Sequence, residues 1–181
     1  LQDTVMQYSH ISIPIDKLCF ALGIPGKVAL ERLGIEDTIG ANEYWNEMMQ
    51  KYHKSIGLFD GINDTLSALR DKGYRLGIIT SKTKSEFEMD FVPHGISHYF
   101  DSIIPKPKPY PDPILTYLNR NQILASEAIY IGDTEYDSLC AHSAGVDFGL
   151  ALWGCRNSAG INSEYRFNTP NEIVIEYGQE T

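Results

Sequence analysis

Asp133 and Asp137 stand four residues apart in IYIGDTEYDSLCAHSAG (129–145), directly after an apolar run and at the start of a segment with helical spacing. Carboxylates at the end of a buried strand are costly unless they are paired, hydrogen-bonded or bound to a metal. Two other apolar runs end in groups of complementary chemistry. LGIITSK closes on Thr80, Ser81 and Lys82, and DSIIPKPKPYP leads into Lys106 and Lys108 held among prolines. A hydroxyl, an ammonium and a pair of carboxylates at three strand ends are the parts of a phosphate site, because phosphoryl transfer is catalysed mostly by positioned donors and cations.

Each part has its own chemistry. Thr80 can donate its hydroxyl to a phosphate oxygen while the backbone N–H groups of Ser81 and Lys82 face the same anion. Lys108 can neutralise the phosphate as a point charge on a loop stiffened by proline. Asp133 suits Mg²⁺, a hard ion held by one or two carboxylates together with water and phosphate. Each part also has a plainer reading. Thr-Ser after a strand serves as a helix N-cap, lysines beside prolines sit on exposed loops, and acids in a first helical turn satisfy orphan N–H groups and the helix dipole. The three in this order are far more specific than any one alone.

Placing these residues at strand ends requires a particular architecture. From residue 75 onward strands and helices alternate: RLGIIT then an acidic helix over about 83–91, DSII then a helix over 112–120, AIYIG then a helix over 136–144, VDFGLALW, a short YRF strand and a last helix near 171–177. This alternation predicts an α/β domain with a largely parallel sheet, whose ligands sit at the carboxyl ends of its strands. Before it, KVALERLGI (27–35) and NEYWNEMMQKYHKSI (42–56) show three-to-four apolar spacing, with Asn42 as the expected N-cap of the second, and NDTLSALRDKGY (63–74) reads as a capped helix ending at Gly73.

Bulk properties narrow the function class. With 181 residues, 43% hydrophobic and 22% charged, the chain has room for one substantial core with a smaller appendage. A net charge of −9 without a basic stripe argues against a nucleic-acid partner. Cys19, Cys140 and Cys155 lack metal-site or disulfide spacing, so they read as free thiols. There is no signal peptide and no long apolar run, which makes the cytoplasm the expected compartment and leaves no reason to expect a membrane partner. Asp3 reads as a surface or capping residue, and His10, His53, His94, His98 and His142 show no relay spacing.

On these residues the chain resembles the haloacid dehalogenase superfamily of phosphohydrolases, and within it the phosphoglycolate phosphatase-like branch. The family's second motif, a strand ending in Thr or Ser, is matched by GIITSK with Thr80. Its third, a lysine in a K-P-x-P setting, is matched by KPYPDP and assigns Lys108, and its fourth, G-D-x-x-x-D, by Gly132, Asp133 and Asp137. LFDGINDTLSALRDKGYRLGIITSK, HGISHYFDSI and AGVDFGLALWG extend the likeness over most of residues 24–175.

The resemblance implies a Rossmann-like three-layer α/β core with a mostly parallel sheet at 61–181 and a small helical cap at 1–60. It also implies a Mg²⁺-dependent phosphatase acting on a small phosphorylated metabolite through an aspartyl-phosphate, as a monomer or homodimer. Thr80, Lys108, Asp133 and Asp137 would be catalytic, with Thr80, Ser81 and Lys108 on the phosphate, Asp133 on the metal, and Asp137 orienting Lys108 or a metal-bound water. The family's first motif, D-x-D-G-T, which supplies the nucleophile from the first core strand, has no match. The opening LQDT resembles the family's segment just beyond that motif, so the nucleophile is expected upstream of Leu1. The connections after Asp3 and between DSII and PKPKP are also shorter than the family's. Two alternatives stay open: a phosphate-binding or protein-interaction module without a nucleophile, and a phosphomutase.

Overall fold

The computed structural model describes residues 1–52, 56–105 and 110–177. The chain forms two compact units, Leu1–Gly57 and Leu58–Thr181. The first is helical: α1 (Gln2–Ser9), a 3-10 turn (Ile15–Ala21), α2 (Gly26–Arg32) and α3 (Thr38–Tyr52). Val5, Leu18, Leu30, Ile35 and Ala41 make its core, with Tyr8 and Trp45 packed at its margin. Helix α3 begins four residues before the expected cap. Asp37 Oδ1 accepts the Gly40 N–H at 2.9 Å and so starts the helix earlier, while Asn42 lies within it against Gly26, where an added Cβ would fall 2.4 Å from Asn42 Oδ1. Asp3 is exposed in the first turn of α1, where a negative charge favours the helix dipole.

The second unit follows the predicted alternation: α4 (Ile62–Asp71), β1 (Gly77–Thr80), α5 (Lys84–Asp90), β2 (Ser102–Pro105), α6 (Asp112–Asn121), β3 (Ile129–Gly132), α7 (Glu135–Ser143), β4 (Asp147–Ala151), β5 (Tyr165–Phe167) and α8 (Pro170–Tyr177). Every strand pairing is parallel. On one face Ile79, Tyr130, Phe148 and Leu150 pack with Ile114 and Leu118 of α6 and Cys140 and Ala141 of α7. On the other, Leu76, Ile129, Ile131 and Phe167 pack with Leu69 of α4 and Ile173 of α8. Helices therefore cover both faces, giving the three layers expected of an α/β core. At Gly145 a backbone φ of 72° turns the end of α7 into β4.

The sheet differs from expectation in one respect: it comes in two parts, β1–β2 and β3–β4–β5. Among the described residues β1 and β3 each pair along a single edge. Burial follows the pairing. Phe148, Gly149, Leu150 and Ala151 of β4, paired on both edges, are all buried, whereas Ile78, Ile79 and Thr80 of β1 and every residue of β3 are only half-buried. The apolar sequence of β1 and β3 suits central strands, although among the described residues each has a strand partner along one edge.

Candidate active site

Thr80 is the last residue of β1 and Gly132 the last of β3, so both sequence motifs occupy carboxyl ends of parallel strands within one unit. After β1 the chain makes a short turn into α5. The Thr80 hydroxyl oxygen accepts the Lys82 N–H at 3.2 Å, which leaves its own proton to donate elsewhere. That bond also corrects part of the sequence expectation. The Lys82 N–H is directed at Thr80 instead of outward toward an anion, and its ammonium pairs with Asp90. Ser81 is half-buried in the same turn. Helix α5 is then capped by Thr83, whose N–H donates to Glu86 Oε2 at 2.7 Å while its hydroxyl oxygen accepts the Glu86 N–H at 3.3 Å. This reciprocal pair satisfies two donors that a helix start leaves orphaned.

The β3 arm repeats the device in a buried setting. Thr134 caps α7, and its N–H and hydroxyl donate to Asp137 Oδ2 at 3.2 and 2.6 Å. Tyr130, one turn of the pleat back on β3, donates its hydroxyl to Asp137 Oδ1 at 3.0 Å. Asp137 is 1% exposed, so these bonds supply the partners its buried charge requires. Burial, and next the Asp137 charge, raise the pKa of Tyr130 far above a free phenol's, so Tyr130 remains a proton donor across the ordinary pH range. The motif glycine has a steric reason: a Cβ on Gly132 would lie 2.4 Å from the Cβ of Asp137. No larger residue fits where the helix presses its carboxylate onto the strand end.

Asp133 lies between these two fixed residues and is half-buried. Gly154, in the turn after β4, closes over it, since a Cβ there would fall 2.7 Å from Asp133 Oδ2. The structure thus brings Asp133, Thr134 and Asp137 together and sets Thr80 at the end of its own strand. Lys108, with Lys106, lies outside the described residues. Both carboxylate oxygens of Asp137 accept bonds from Tyr130 and Thr134, and a carboxylate keeps acceptor capacity for a further donor.

Among the described residues no group of three or more His, Cys, Asp or Glu side chains converges as a ready metal cage. The donor chemistry fits Mg²⁺ nonetheless, since that ion commonly takes one or two carboxylates and completes its shell with water and phosphate. Asp133 supplies one such carboxylate. Among the described residues the cysteines form no disulfide, Cys140 being buried and Cys19 and Cys155 partly so, and Cys140 Sγ donates to the Tyr110 carbonyl at 3.0 Å, a packing role. No described helix is long and apolar enough to cross a membrane.

Sequence reasoning passed over Tyr130, Thr134 and Gly154. The T-x-x-D spacing of Thr134 and Asp137 is the legible sign of a capping box. Tyr130 carries no such sign, and Gly154 acquires its role only when β4 runs alongside β3.

The sequence profile of the haloacid dehalogenase-like hydrolases matches residues 1–151. The pyrophosphatase PpaX of Bacillus velezensis is 28% identical over 133 residues, covering 69% of this chain and 62% of that protein. The phosphoglycolate phosphatase of Haemophilus influenzae is 24% identical over 159 residues, 85% of this chain and 68% of that one. The chain thus spans about two thirds of the length of these relatives. Among solved structures, a haloacid dehalogenase-like family hydrolase from Streptococcus pneumoniae superposes with a TM-score of 0.80 at 25% identity, covering 98% of this chain and 88% of that one.

Proposed function

The chain belongs to the haloacid dehalogenase-like hydrolase family, and from that membership we propose a Mg²⁺-dependent phosphatase acting on a small phosphorylated metabolite of the phosphoglycolate, sugar phosphate or pyrophosphate kind. The observation that carries this reading is the placement of Thr80 at the carboxyl end of β1 and of Asp133 directly after β3, each in its family motif. Relatives named as a pyrophosphatase and a phosphoglycolate phosphatase support the phosphate monoester or anhydride as substrate class.

In this reading Thr80 donates its free hydroxyl proton to a phosphate oxygen, its oxygen being held by the Lys82 N–H. Lys108 neutralises the same group. Asp133 would hold Mg²⁺, which when bound supplies positive charge to the substrate oxygens. The attacking carboxylate belongs to the family's first motif, which is absent from the 181 residues, and we place it upstream of Leu1. Room for its strand is supported by the edges of β1 and β3 that have no strand partner among the described residues and by the half-buried isoleucines on both. The helical unit Leu1–Gly57 is the cap in this scheme.

A chain carrying the first motif is expected to hydrolyse phosphate esters in a manner abolished by EDTA, and Asp133→Asn is expected to lower turnover by about 10²–10³-fold, the scale of losing a positioned charge at the reacting group. Activity that survives both the chelator and the substitution would overturn the assignment.

A further inference from the structure

We infer that Tyr130 is a positioning residue for Asp133, acting through the Asp137 carboxylate and the Thr134 cap. The inference deepens the proposed function, since it rests on Asp133 as the carboxylate of the phosphate and metal site. Asp133 is flanked on both sides by residues that meet the same buried group. Gly132 lies against the Asp137 side chain at a distance that excludes a Cβ, and Thr134 donates both its N–H and its hydroxyl to Asp137 Oδ2. The remaining oxygen, Oδ1, accepts the Tyr130 hydroxyl at 3.0 Å. Tyr130 itself is anchored in β3 opposite Phe148 of β4, which is fully buried. The chain from the core to Asp133 therefore runs through three named contacts.

A helix start does not require this arrangement. Helix α5 is capped by the same reciprocal pair, an exposed Thr83 with a half-buried Glu86. The α7 box adds burial of the acid and a phenol from the preceding strand. Both additions fix the acid in space, and the residue whose backbone they confine is Asp133. Outer groups that orient a ligating carboxylate commonly change metal affinity by about 10–100-fold when removed.

The test uses Tyr130→Phe, which keeps the ring and deletes the donor, with Thr134→Val as a second break and Thr134→Ser as the conservative control. Amide hydrogen exchange and an NMR titration with Mg²⁺ alone are followed at Asp133 and Thr134. Both breaking variants are expected to exchange about tenfold faster at these amides, the scale of losing one bond to a charged acceptor, with β4 and α5 unchanged. The Mg²⁺ concentration for half-saturation is expected to rise about tenfold, and Thr134→Ser to behave as wild type. Unchanged exchange at Asp133 in folded variants, or acceleration spread equally over β4, overturns the positioning role. Equal Mg²⁺ response in wild type and Tyr130→Phe overturns it as well. A wild-type protein whose Asp133 amide ignores Mg²⁺ sinks the metal reading instead, and the exchange data then judge the clamp by themselves.

Discussion

The two strand-turn-helix arms of the core, β1 into α5 and β3 into α7, use one device in two environments. Each ends its strand, turns, and starts a helix with a threonine that exchanges hydrogen bonds with an acid three residues on. In the β1 arm the pair is the exposed Thr83 with a half-buried Glu86; in the β3 arm it is the half-buried Thr134 with a buried Asp137 that is also tied to Tyr130. Solvent can replace a lost bond more readily in the first arm than at the buried Asp137 of the second. The same local code is thus an interchangeable cap in one place and a rigid mount in the other.

The widest gap between the arms is expected from removing the acid. Asp137→Ala leaves the half-buried Tyr130 hydroxyl and Thr134 donors without their charged acceptor and is expected to cost about 3 kcal/mol, since bonds to charged groups are worth roughly 1.5–3 kcal/mol each. Glu86→Ala removes a solvated cap partner and is expected to cost below about 1 kcal/mol. Equal losses in denaturant unfolding would erase the distinction.

Steric tolerance gives the next contrast. Gly132→Ala drives a Cβ to 2.4 Å from Asp137 and is expected to destabilise by about 1–3 kcal/mol through overpacking. At the matching strand end β1 already carries a side chain, and Thr80→Ala gives up only the bond from Lys82, about 1 kcal/mol. Thermal unfolding of the two variants ranks them.

The smallest effect concerns the far ends of the two helices. In the first arm Lys82 pairs with Asp90 at the surface, and Lys82→Ala should be nearly neutral. Near the end of α7, His142 meets Glu164, which also accepts the Phe148 N–H at 2.8 Å. That backbone bond, ahead of the bond to His142, holds the pKa of Glu164 below its ordinary 4.5. A carboxyl with a depressed folded-state pKa contributes stability that is present above 4.5 and is lost as the pH falls below it toward the folded value. Glu164 is partly exposed, so solvent screening keeps the loss near about 0.5 kcal/mol. Glu164→Gln should flatten the acid limb of the stability curve by that amount, as measured by unfolding between about pH 5 and 3.

Much of this arrangement was legible in the sequence because it rests on short-range periodicity. Apolar runs of four to five residues, punctuated by Gly73, Gly145 and capping threonines, mark the strands and helices of the core with errors of a residue or two at their ends. The start of α3 was misplaced because Asn42 and Asp37 are both good capping residues, and only the geometry of the first turn selects Asp37. The role of Asp137 stayed open for a different reason. Its spacing from Asp133 is shared by a metal ligand and by a capping acid, and spacing carries no information about which donors meet its oxygens.

By itself the sequence determined the α/β alternation, the strand ends that carry Thr80 and Asp133, and the hydrolase family the chain belongs to, because residue type and local period act within a few residues of chain. Tertiary structure alone decided that the strands pair as β1–β2 and β3–β4–β5, that Gly154 closes over Asp133, and that Tyr130 holds Asp137. Those facts depend on which strand lies beside which and on how much water remains between them, and burial is a property of neighbours that the chain brings together only by folding.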